Sequence, residues 1–137
     1  MCGELDEDAR LDDEIFARVV ALARRYGAAP APDARPPVAG LAEDGARRAY
    51  MDSLFRDGLT RALGDAAAMP EGQRVDAVAS QAIVYARLAG YLAGHLPPAA
   101  DLFRTAVDAM LDGHGEPARA MAERHDHHHD HDHGHDG

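Results

Sequence analysis

Four prolines between positions 30 and 37 divide this chain before anything else about its fold is decided. Pro30, Pro32, Pro36 and Pro37 each hold φ near about −65° and withhold a backbone donor. Neither a helix nor a central strand survives such a run. Residues 27–40 therefore read as an extended linker, partly polyproline II, opened by Gly27 and closed by Gly40. The stretch Pro32-Asp33-Ala34-Arg35-Pro36-Pro37 is loosely of the PxxP ligand type, with a plain spacer as the simpler account.

On either side of the linker the apolar residues recur with the period of an α-helix. Leu11, Ile15, Val19, Leu22, Ala23 and Tyr26 predict a first helix over 4–26. Its N-terminal half is acidic (Glu4, Asp6, Glu7, Asp8, Asp12, Asp13) and Arg24 and Arg25 close it, as the helix dipole favours. Tyr50, Leu54, Leu59 and Leu63, widened by Met51 and Phe55, predict a second helix over 42–67. Gly58 marks a possible kink near its middle, at a cost of about 1 kcal/mol against Ala, and Pro70 and Gly72 end it.

Residues 73–94 carry the most apolar pattern, which covers more than half the circumference and predicts a buried, central helix or one at a dimer interface. Small residues at Ala82, Ala86, Gly90 and Gly94 repeat every four positions and would let a neighbour approach closely. His95-Leu96-Pro97-Pro98 stops this helix. A fourth is expected from about Pro98 to Leu111, then a turn at Asp112-Gly113-His114-Gly115, then a short helix over 117–124. With no alternating β-branched pattern anywhere, the expected class is all-α: a small bundle of about four helices in residues 1–124.

The chain then changes character. His125-Asp126-His127-His128-His129-Asp130-His131-Asp132-His133-Gly134-His135-Asp136-Gly137 holds seven His, four Asp and no apolar residue. Such a segment has nothing to bury, so residues 125–137 are expected to be disordered without a ligand. Imidazole nitrogens suit nickel and zinc, and cobalt and copper as well. His125, His127, His128, His129, His131, His133 and His135 are therefore the candidate metal ligands. Many overlapping three- or four-imidazole sets are possible. That redundancy suits capacity and exchange, whereas a catalytic metal needs fixed ligands and an oriented second shell. Other accounts of the run are a compositional accident, a purification tag and a pH-dependent charge switch.

The tail resembles the His-rich extensions of bacterial metallochaperones that serve nickel and zinc enzymes, such as nickel-loading prolyl isomerases, urease accessory proteins and hydrogenase-maturation GTPases. The resemblance covers residues 125–137 only and implies a metal-handling role. The isomerase, ferredoxin-like and P-loop folds of those proteins have no counterpart in the pattern of residues 1–124.

Charge and composition narrow the partners. The formal charge is −10, and charging all nine His against fourteen Arg and twenty-four carboxylates still leaves −1. Such a surface is expected to bind neither nucleic acid nor an anionic membrane. The acidic opening residues lack the apolar core of a signal peptide, and no 18-residue apolar run exists, so the cytoplasm is the expected compartment. Cys2 stands alone and can form no internal disulfide. Its Met-Cys-Gly context resembles the opening of class II glutamine amidotransferases, whose fold a strandless chain of this length does not hold.

His95 and His114, with Asp108, Asp112 and Glu116 nearby in sequence, are a further possible ordered site; a dipole-favoured helix-end His is the simpler account of His95. No catalytic triad order, paired carboxylates or dinucleotide motif is present, so no enzyme is expected. The reading is a cytoplasmic transition-metal-binding accessory protein, a buffer, chaperone or metal-responsive adaptor, with a protein partner or a second copy of itself. The alternative is a helical interaction or regulatory module in which the tail only solubilises.

Overall fold

The computed structural model describes the backbone of residues 3–32 and 35–129 and the side chains of residues 9–32 and 35–125. Among the described residues there are four α-helices, two short 3-10 turns and no strand. The helices are α1 (Gly3–Ala23), α2 (Asp44–Ala67), α3 (Arg74–Ala93) and α4 (Leu102–His129). No described helix is long and apolar enough to cross a membrane. The chain divides into two compact units, Met1–Leu88 and Ala89–Gly137.

In the first unit, α1 runs into a 3-10 turn, Arg24–Tyr26, which Gly27 closes. Gly27 sits at φ 74° and donates its N–H to the Arg24 carbonyl at 3.0 Å. This left-handed position explains the glycine, since a Cβ there would strain the backbone. Of the expected stripe, Ile15, Val19, Leu22 and Ala23 are half-buried, whereas Leu11 and Tyr26 are exposed. The Arg87 guanidinium lies 5.8 Å from the centre of the Tyr26 ring, a cation–π contact that links α3 to the end of α1.

The proline linker is not loose along its whole length. Arg35 is half-buried, forms an ion pair with Asp57, and donates to the Ser53 hydroxyl at 3.0 Å and the Ser53 carbonyl at 3.3 Å. One guanidinium thus fastens the linker to α2, and its planar fork allows several bonds at once. Asp57 is mostly exposed, so the ion pair alone contributes little. Arg35→Ala is expected to destabilise the first unit by roughly 1–2 kcal/mol, mainly through the Ser53 bonds. Asp57→Ala should cost less than half as much, and urea denaturation of the two variants checks the order.

The buried side of α2 differs from the expected one. Leu54, Phe55, Leu59 and Leu63 are all exposed, Phe55 at 61%. The half-buried or buried positions are Ala46, Tyr50, Ser53, Gly58, Ala62 and Ala66, a line of mostly small residues at three- and four-residue steps. Ala66 is 6% exposed. The larger apolar side chains Leu54, Phe55 and Leu59 instead border an open groove toward α3 and stay accessible to solvent. The expected kink at Gly58 is absent, and α2 continues unbroken through it.

The expectation of a buried α3 also fails. None of its residues is buried, and Val75 and Ile83 are 79% and 72% exposed. Only Ala77, Gln81, Tyr91 and Ala93 on this helix are even half-buried. α2 and α3 are joined by a tight turn in which Gln73 donates to the Pro70 carbonyl at 3.0 Å. Gly72 supplies the positive φ (90°) that the third position of this turn demands.

Gln81 carries the polar link between the two helices. Its Nε2 donates to the Ala62 carbonyl at 3.1 Å, and its Oε1 is buried without a protein partner. Gln81→Glu is expected to destabilise the unit by roughly 2–3 kcal/mol, since a carboxylate cannot donate to Ala62 and would be buried unpaired. Gln81→Leu should stay within about 1 kcal/mol of the parent, because it removes the unsatisfied oxygen along with the bond. Denaturation midpoints of the pair check this.

In the second unit, the chain turns through His95–Pro97 into a 3-10 turn, Pro98–Ala100, and α4 begins after Asp101. The fourth helix thus starts at Leu102 rather than at Pro98. His95 is 7% exposed and meets the Tyr91 ring edge-on, with centroids 4.7 Å apart and planes at 76°. Leu102, Ala106 and Val107 form the half-buried side of α4, and Phe103 is 71% exposed.

The largest departure from the expected fold is the length of α4. The expected turn at 112–115 and the separate helix over 117–124 are one continuous helix, which crosses Gly113, Gly115 and Pro117 and reaches His129. Pro117 has no N–H to offer the Gly113 carbonyl and crowds it sterically. Arg119 folds back over this turn, and its Nη2 donates to the neighbouring Asp112 carbonyl at 3.0 Å. A Cβ at Gly115 would lie 2.9 Å from Arg119 Nη1, so the bare glycine is what lets the guanidinium lie flat along the helix. Beyond the proline, Ala118, Arg119, Ala120, Met121, Ala122, Glu123 and Arg124 are all good helix formers.

Candidate metal centre

The His run continues the helix that precedes it. α4 carries its helical backbone through His125, His127, His128 and His129. The His125 side chain is described and exposed. His131, His133 and His135 lie outside the described residues, as does Cys2. The helical backbone is described as far as His129, and residues 130–137 of the expected tail lie outside the described residues.

Helical register decides which of these His can act together. With 3.6 residues per turn, His125 and His129 are one turn apart on the same face, and His128 stands beside them. His127 falls on the opposite side. The carboxyl end of a helix presents unpaired carbonyls and the negative end of its dipole, which favours a cation there.

The second possible site does not assemble. His95 is packed against Tyr91 inside the second unit, whereas His114 is an exposed position within α4. Among the described residues, no group of three or more His, Cys, Asp or Glu is gathered where it would hold a metal ion. Asp108, Asp112 and Glu116 lie along α4, exposed to solvent.

The first unit has a separate feature that the sequence pattern did not reveal. Between α2 and α3 lies an open, largely apolar groove of about 350 Å³, lined among others by Leu54, Phe55, Leu59, Val78 and Tyr85. Gly58 and Gln81 sit at its border with a more polar hollow that includes Arg61 and Asp65. The one signal in the sequence was Gln81 itself, a polar residue four positions after Ala77 and in register with the apolar side of the helix.

Comparison with protein-family models, with curated proteins and with solved structures finds no match to this chain.

Proposed function

We propose that this is a transition-metal-binding accessory protein of the cytoplasm, a buffer or chaperone that holds nickel or zinc through its His-rich carboxyl end. The observation that carries the reading is the run of seven imidazoles joined without a break to α4. Cobalt and copper suit the same donors, and copper would win on affinity order alone. The ligands are His125, His127, His128, His129, His131, His133 and His135. The protein acts by raising the local metal concentration near whatever its helical units dock, a protein partner or a second copy of itself. The acidic surface argues against nucleic acid and anionic lipid as partners. The reading assigns no catalysis. A competitive titration of nickel and zinc against a chelator of known affinity, with the full chain and with a chain ending at Arg124, tests it.

A second reading is favoured by the groove between α2 and α3: a helical interaction module in which the tail only adds solubility. Exposed apolar residues on both helices, Phe55 and Ile83 among them, suit a docking surface. Under this reading the chain ending at Arg124 retains the protein's full cellular role, and under the first it loses that role.

A further inference from the structure

The first unit encloses almost no apolar core of its own. Among its described residues Ala66 is the one buried apolar side chain, and no large side chain is fully buried. The large apolar groups lie instead along one groove. Leu54, Phe55, Leu59, Val78 and Tyr85 line it and leave between 41 and 61% of their surface open to water. Met51, one turn before Phe55 on α2, is 59% exposed. At about 200 Å² for each large side chain, these six expose on the order of 600 Å². The largest apolar patch of a typical monomer is about 300–600 Å². A standard interface covers about 800 Å² of each partner, about 60% of it apolar. The groove and its walls thus supply the whole apolar share of such an interface.

The charge of this region points to what covers it. The whole chain carries −10, yet residues 44–88 hold six Arg against six Asp and Glu and are neutral. The entire net charge therefore lies outside the part of the chain that carries the groove. Two copies that meet through it meet no net repulsion there, whereas a strongly basic or acidic partner finds no charge to match. The hollow at the border of the groove includes Arg61 and Asp65, one turn apart on α2 and both exposed. Such a rim is complementary to itself. Across a two-fold axis, Arg61 of each copy can stand against Asp65 of the other.

We propose that the groove between α2 and α3 is the interface between two copies of this chain, which pair about a two-fold axis so that four helices share one apolar core. This takes the groove as a docking surface, as the second reading above does, and it does not depend on metal binding. Phe55, the most exposed of the large lining side chains, enters the groove of the other copy. The pairing is isologous, so that contact is made twice. The open space of about 350 Å³, which one chain leaves unfilled, becomes the packed centre of the four helices. Gly58 lines this space, and a Cβ there would meet nothing within 4 Å in a single chain. Glycine weakens the middle of a helix. At position 58 it leaves room for the helix that approaches from the second copy.

The test is sedimentation equilibrium of the full chain at micromolar concentration, with EDTA present so that no bound metal contributes. The expected result is a dimer. Phe55→Glu should raise its dissociation constant by about 100-fold or more, because an aromatic anchor is lost and an unpaired carboxylate enters the interface twice. Ile83→Glu places the same charge on a 72% exposed residue of α3 that does not line the groove. It should leave the dissociation constant within about twofold of the parent. Reversal of one rim charge, in Arg61→Asp or in Asp65→Arg, should weaken the dimer by roughly threefold to tenfold, and the double variant should restore it. Both rim residues are exposed, so these variants keep the fold of the single chain. A parent chain that stays monomeric in EDTA would overturn the proposal and leave the groove to a different partner. Equal weakening by Phe55→Glu and Ile83→Glu, or a double charge variant weaker than either single one, would overturn it as well. Chelator competition reads metal binding separately, so failure of the dimer and failure of the metal-binding reading are distinct results.

Discussion

Ending the chain at Arg124 is expected to lower its affinity for nickel and zinc by at least about 100-fold. Losing merely the outer hydrogen-bond partner of one metal ligand typically costs 10–100-fold, and this truncation removes seven imidazoles. Among the described residues nothing replaces them. His95 is packed against Tyr91, His114 is exposed within α4, and no group of three or more metal-binding side chains is gathered. The helical units should be unaffected by the truncation, because α1 to α3 and the His95 turn lie outside the deleted segment. The measurement is chelator competition on both chains, with thermal unfolding as a check that the truncated chain still folds. Equal affinity in the two chains would end the metal-binding reading and turn attention to the groove between α2 and α3.

Replacing Pro117 with Ala is expected to strengthen α4 by roughly 3 kcal/mol, the interior cost of proline in a helix. The substitution restores an N–H for the Gly113 carbonyl and removes the ring that crowds it. In hydrogen exchange, this corresponds to about a hundredfold slower opening of residues 113–129. Gly113→Ala should act in the same direction with a smaller effect of up to about 1 kcal/mol, since a Cβ at Gly113 meets nothing within 4 Å. Gly115→Ala should gain less than Gly113→Ala, because its Cβ would displace the Arg119 guanidinium. Unchanged exchange in Pro117→Ala would show that the segment past residue 113 is not helical in solution.

Much of the fold was legible in the residues. The helical period placed four helices, and Gly27, the proline run, Pro70 and Gly72 marked their ends, because backbone constraints of Pro and Gly act locally. The half-buried stripe of α1 was also legible, since a single row of Ile, Val and Leu leaves no choice of side. The candidate ligands were plain from composition. What only the tertiary structure decided was of two kinds. One was the choice of inward face: on α2 the less exposed positions are Ala62 and Ala66, whereas Leu54, Phe55 and Leu59 border an open groove with α3 and stay exposed, as does α3 itself, because an open groove leaves both apolar faces in reach of water. The other was continuity. Local propensity around Gly113, Gly115 and Pro117 pointed to a break, but strong helix formers beyond it and the reach of Arg119 to the Asp112 carbonyl hold α4 together as far as His129. That continuity carries the helical backbone past the junction with the His run.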